Sequence, residues 1–77
     1  MWSKKIEGSF DENANPPVVE QIYGDLKGNF GNTFGEPQVF GWLPEEGDSQ
    51  SPYIEVRFDS EPNDIAFVEQ TINSKII

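Results

Sequence analysis

The sequence contains no cysteine and no histidine. A disulfide framework is therefore excluded, as is a zinc site built from thiolates and imidazoles. No imidazole is present to act as base for a serine nucleophile. Cations are scarce, with five Lys and Arg against 14 Asp and Glu, for a formal charge of −9. Binding to a phosphate backbone draws its affinity from many Lys and Arg, so direct nucleic-acid binding is not expected. Long apolar runs are missing too. No stretch approaches the roughly 20 apolar residues that a membrane-spanning helix needs. The opening Met1-Trp2-Ser3-Lys4-Lys5 is basic but lacks the apolar segment of a secretory signal. The expectations are no membrane association and a cytoplasmic location, which the lack of cysteine suits.

Hydrophobic residues are also in short supply at 35%, below the usual globular share. With so much net charge, disorder is the opposing reading. Two features argue for a fold. Aromatics make up 13% of the chain, and a few large rings fill a small core. The apolar residues are also periodic. Seventy-seven residues make a single domain, residues 1–77. A chain this short buries only about 60% of its unfolded surface, so dimerisation is a reasonable supplement to its stability.

Residues 2–10 alternate, with Trp2, Ile6 and Phe10 on one face and Ser3, Lys5, Glu7 and Ser9 on the other, which predicts a half-buried strand. Asn15-Pro16-Pro17 reads as a helix start, with Asn15 as cap. Val19, Ile22, Tyr23 and Leu26 follow at helical spacing. Gly24 suggests a close approach of another element, and Gly28 is the natural terminator. Residues 28–36 read as a loop anchored by Phe30 and Phe34. Gln38 to Leu43 predicts a second strand, with Val39 and Leu43 on one face and Phe40 and Trp42 on the other. Residues 44–52 form a polar loop. Tyr53 to Asp59 is the clearest strand, with Ile54, Val56 and Phe58 inward and Tyr53, Glu55, Arg57 and Asp59 outward. Ser60 to Asp64 opens a last helix with a stripe of Ile65, Val68, Ile72 and Ile76, and Lys75 in its last turn.

The order β-α-β-β-α predicts an α+β fold of two layers, a three-stranded sheet with two helices on one face. Strand order 1-3-2 is favoured because the third strand has the cleanest alternation; order 1-2-3 is the alternative.

The strongest surface feature is acidic. Between Glu36 and Asp64 stand eight carboxylates and one cation, Arg57. One reading is a recognition surface for a basic partner protein, since such a field steers association. The plainer reading is hydration of the surface. Phe40 and Trp42, if the helices cover the Val39 face, lie on the open face of the sheet, where ring pairs anchor interfaces. The plainer alternative is that the 28–36 loop folds over them. The candidate partner-binding residues are therefore Phe40, Trp42, Glu45, Glu46, Asp48, Glu55 and Asp59.

Other motifs fail on their chemistry. Asp11-Glu12-Asn13-Ala14-Asn15 has the start of a calcium loop, but Pro16 stands where glycine should turn and Ile22 where a closing Glu should bind. Gly24, Gly28, Gly31 and Gly35 match no phosphate-binding fingerprint. Glu45/Glu46 and Asp59/Glu61 are the carboxylate pairs available for acid–base work, yet exposed acids lack the burial that tunes such groups. No enzymatic activity, metal or cofactor is expected. The expected function is a small acidic binding protein that occupies a basic, nucleic-acid-handling surface of a partner, as an inhibitor or regulator of the kind phages and bacterial immunity systems use. The alternative is a homodimeric structural or assembly module joined through the Phe40/Trp42 face. A third reading has Trp42, Tyr53 and Phe40 stacking on a sugar or peptide.

Overall fold

The computed structural model describes residues 1–77. Five elements follow in the order β1 (Trp2–Glu7), α1 (Val18–Phe30), β2 (Gln38–Trp42), β3 (Tyr53–Phe58) and α2 (Ile65–Asn73). β3 lies between β1 and β2 and pairs antiparallel with both, giving the order β1-β3-β2. This is the α+β arrangement with strand order 1-3-2. The central position belongs to the strand whose sequence alternates most cleanly. Ile54, Val56 and Phe58 are buried, while Tyr53, Glu55 and Arg57 face away from the helices. A central antiparallel strand needs one apolar face and tolerates one polar face, and β3 has that composition.

Both helices pack on the same side of the sheet, α1 over β2 and α2 over β1. Val18, Ile22, Leu26 and Phe30 recur every fourth residue and are the buried residues of α1. Val68, Thr71 and Ile72 are those of α2. All of these except the polar Thr71 join the inward residues of β3 in one apolar core, flanked by Trp2, Ile6, Phe10 and Val39. Ile65 and Ile76, expected in the buried stripe, are half-buried at its margins.

Five of the aromatic rings make a second layer of order within this core. Phe30 meets Phe34, Phe58 and Phe67 edge-on, with centroids 5.6–5.7 Å apart. Trp2 leans on Phe58 at 6.2 Å. Phe30 is thus the last buried residue of α1 rather than a loop residue. α1 runs through Gly28 and ends at Gly31, whose φ of 58° places it in the left-handed region and whose N–H reaches the Lys27 carbonyl at 2.8 Å. Nothing lies within 4 Å of where a side chain at Gly24 or Gly28 would start, so neither marks a close approach.

The start of α1 also differs from expectation. Pro17 occupies the capping position and no side chain caps the helix; Gln21 instead turns back to donate to the Pro16 carbonyl at 2.8 Å. At α2 the expected acidic cap is present. Asp64 accepts from the Phe67 N–H at 3.1 Å. Lys75 lies beyond the helix, which ends at Asn73.

β1 stops at Glu7, short of the predicted Phe10. At Gly8 the φ of 156° and the approach of Ile76 leave no room for a side chain; a Cβ there would lie 2.5 Å from Ile76 Cγ2. The Gly8 N–H instead donates to the Pro52 carbonyl, and the Ile77 N–H donates to the Ser9 carbonyl. Gly41 has a related role on β2. A Cβ there would lie 2.8 Å from Phe10 Cζ and 3.0 Å from Val19 Cγ1, so the missing side chain lets α1 and Phe10 close over the strand.

Candidate partner-binding surface

The helices cover one face of the sheet and leave the other open. The register places three cross-strand rows on that open face: Ser3, Arg57 and Gln38; Lys5, Glu55 and Phe40; Glu7, Tyr53 and Trp42. Because side chains alternate along each strand, these rows follow from the pairing of β3 with its two neighbours. Phe40 and Trp42 therefore lie outside the core. Phe40 is 41% exposed, and Trp42 is half-buried against Tyr53, with centroids 6.0 Å apart and planes 25° apart. The Phe30/Phe34 loop does not fold over these rings; both of its rings pack on the helix side.

Charge and aromatic groups interleave on this face. The Lys5 ammonium sits over the Tyr53 ring at 4.2 Å, and the Arg57 guanidinium over the Phe40 ring at 4.7 Å. Arg57 also pairs with Glu55 at 3.1 Å, a contact available to residues two apart on one strand face. The Glu55 side chain is only 17% exposed, so its charge is matched within the chain. Both cations of the face are engaged by rings or carboxylate.

The remaining candidate residues fall in two places. Glu45, Glu46 and Asp48 are exposed in the loop that leaves β2 directly after Trp42. A turn holds this loop: the Asp48 N–H donates to the Glu45 carbonyl at 3.0 Å, and Asp48 Oδ1 accepts from the Gln50 N–H at 2.9 Å. Neither of the two ion pairs in the chain involves these three acids. Asp59 follows the opposite end of β3. There its carboxylate packs against Gly35, in the space a side chain at that position would take. β3 is six residues long, from Tyr53 to Phe58, and at roughly 3.3 Å per residue Asp59 is about 20 Å from the loop. The structure thus joins Phe40, Trp42 and Glu55 on one face and sets Glu45, Glu46 and Asp48 at its end. It places Asp59 elsewhere.

The alternation of β3 puts Tyr53 and Arg57 outward, but Tyr53 is a binding residue only in the sugar-or-peptide reading, and Arg57 and Lys5 are in none of the candidate sets. Their proximity to the rings depends on cross-strand register, and the only available signal was the combination of strand order with alternation.

A separate cluster ties the 31–36 loop to α1. Tyr23 donates its hydroxyl to Glu36, and Lys27 donates to both Glu36 and Asn32. The hydrogen bond from Lys27, then that from Tyr23, holds the Glu36 carboxyl below its ordinary range. The same bonds to Glu36 raise the Lys27 ammonium and the Tyr23 phenol above theirs. No three carboxylates converge in the way a metal ion requires, and no helix is long and apolar enough to cross a membrane. Comparison with protein-family models, curated proteins and solved structures finds no match.

Proposed function

We propose that this chain is a small acidic binding protein, without chemistry of its own, that occupies a basic surface on a partner protein that handles nucleic acid, and thereby blocks or regulates it. The observation that carries this reading is the pairing of a helix-free ring face with an unpaired acidic loop. Phe40 and Trp42 are held outside the core, and Glu45, Glu46 and Asp48 follow in the loop just beyond Leu43 and Pro44. Ring anchors beside a charged rim are a frequent interface plan. Regulation of a partner in the manner of phage anti-defence or immunity proteins belongs to the same proposal, as does a cytoplasmic setting.

A second reading has its own support. The open face carries both signs, Lys5 and Arg57 beside Glu7 and Glu55. A patch of mixed sign is suited to meeting a copy of itself across a twofold axis. Sedimentation velocity over a wide concentration range separates the two. The leading reading predicts a concentration-independent monomer. A dimer that persists in high salt and dissociates on Trp42→Ala would favour the assembly module and contradict the leading reading. Capture of partners at low salt, on immobilised protein with a Phe40→Ala control, then tests the leading reading. Loss of a captured basic protein in the control supports it, and equal capture contradicts it.

A further inference from the structure

β1 and β2 finish, and β3 begins, at the same end of the sheet, where the Gly8 N–H meets the Pro52 carbonyl at 2.9 Å. An open depression of about 400 Å³ lies there, within the lower part of the range of roughly 300–1,000 Å³ that ligand sites span. Phe10, Leu43, Pro44 and Pro52 give it an apolar floor, and Asp11 and Glu12 contribute carboxylates to its wall. The floor residues are half-buried and the two acids are exposed. Asp11 Oδ1 accepts from the Asn13 N–H at 2.9 Å, and Glu12 makes neither of the chain's ion pairs. No Lys or Arg occurs between Lys5 and Lys27 or between Trp42 and Tyr53, the two segments that supply the floor and the acids; the C-terminal segment, which lines the depression through Ile77, carries Lys75 two residues earlier. The acids of the 44–52 loop add to the negative field at this end.

We infer that this depression seats an arginine side chain presented by the basic partner protein, an inference that rests on the binding function proposed above. The occupant needs an apolar stem for the floor and a cationic head for the wall. An anion would meet two acids and no cation among the lining residues. A purely apolar group makes no use of Asp11 and Glu12. Lysine and arginine both have the required stem, but the guanidinium is flatter and more weakly hydrated. It lies flat on ring faces and engages carboxylates through a fork of donors. A floor of one phenyl and two pyrrolidine rings suits that shape better than it suits a compact, strongly hydrated ammonium.

The test is an NMR titration of the ¹⁵N-labelled protein at low salt with capped hexa-arginine and capped hexalysine. The expected result is amide shifts concentrated at Ser9–Glu12, Leu43 and Ile77, with hexa-arginine bound several-fold more tightly. The double variant Asp11→Asn/Glu12→Gln should weaken hexa-arginine about tenfold, as expected for two exposed charge pairs. Asn retains the oxygen that accepts from the Asn13 N–H, so the turn is preserved. Shifts confined to the 44–52 loop or the open sheet face would overturn the inference and leave the binding proposal standing, as would a double variant that binds like the parent. Equal affinity for the two peptides would overturn the arginine assignment. No shift at any residue with either peptide would count against the binding proposal itself.

Discussion

Gly41 and Phe40 are adjacent in the chain and face opposite sides of β2, and their substitutions should behave in opposite ways. A branched side chain at Gly41 would drive into Phe10 and Val19. Gly41→Val should therefore cost about 1–3 kcal/mol of unfolding free energy through overpacking, measurable by urea denaturation. Phe40 is 41% exposed and contacts the Arg57 guanidinium from outside the core. Phe40→Ala should change stability by less than about 1 kcal/mol while weakening partner capture. A large loss of stability would show that the ring belongs to the structure rather than to an interface. The alternation of β2 correctly put Phe40 and Trp42 on one side. The role of Gly41 was not legible, because a sequence shows that a side chain is missing but not what would have met it. The same blindness explains Gly24 and Gly28, one read as a close approach and the other as a terminator. Both face open space.

Those two glycines set the properties of α1. Each costs an exposed helix interior about 1 kcal/mol relative to alanine. Gly24→Ala and Gly28→Ala should each raise stability by about 0.5–1 kcal/mol, visible as a higher urea midpoint at unchanged slope; loss of stability would mean that the exposed face of α1 makes contacts absent here. The helix lasts to Phe30 because its apolar stripe continues there and the ring cluster rewards burial. Local glycine propensity is overridden by packing that only the assembled core supplies. The elements themselves were legible, since periodicity of two and of nearly four is written directly in the apolar residues. Beyond Phe30, the Tyr23–Lys27–Glu36 cluster fastens the following loop. Glu36 has a lowered folded-state pKa, so its contribution is present above the ordinary carboxylate range and is lost as pH falls through the folded value. Lys27 and Tyr23 are raised, so theirs is present below their ordinary values and is lost as pH rises through the folded ones. Glu36→Gln should therefore reduce the fall in stability below about pH 4, followed by urea midpoints across pH. An unchanged acid slope would show that the tie is not formed in solution. The effect should be small, because the groups are exposed and screened.

Across the molecule, topology divides charge that the sequence presents as continuous. The acids between Glu36 and Asp64 look like one run in the chain. In the fold, Glu45, Glu46 and Asp48 leave one end of the sheet, together with Asp11 and Glu12. Gly35 and Asp59 meet at the other end, where the Ser60 N–H also reaches the Phe34 carbonyl. That separation is set by strand direction, which composition does not carry. The strand order was legible because β3 has the cleanest alternation of the three strands; the grouping of acids was not, because it depends on which strand ends coincide. On the proposed function, partner steering belongs to the loop beside the rings. The most direct test is the association rate of the captured basic partner, followed over a salt titration for the parent and for Glu45→Lys/Glu46→Lys/Asp48→Lys. The account predicts a parent rate that falls steeply with salt, and a variant that associates slowly with a flattened salt dependence. Equal rates for the two proteins at every salt concentration would contradict it.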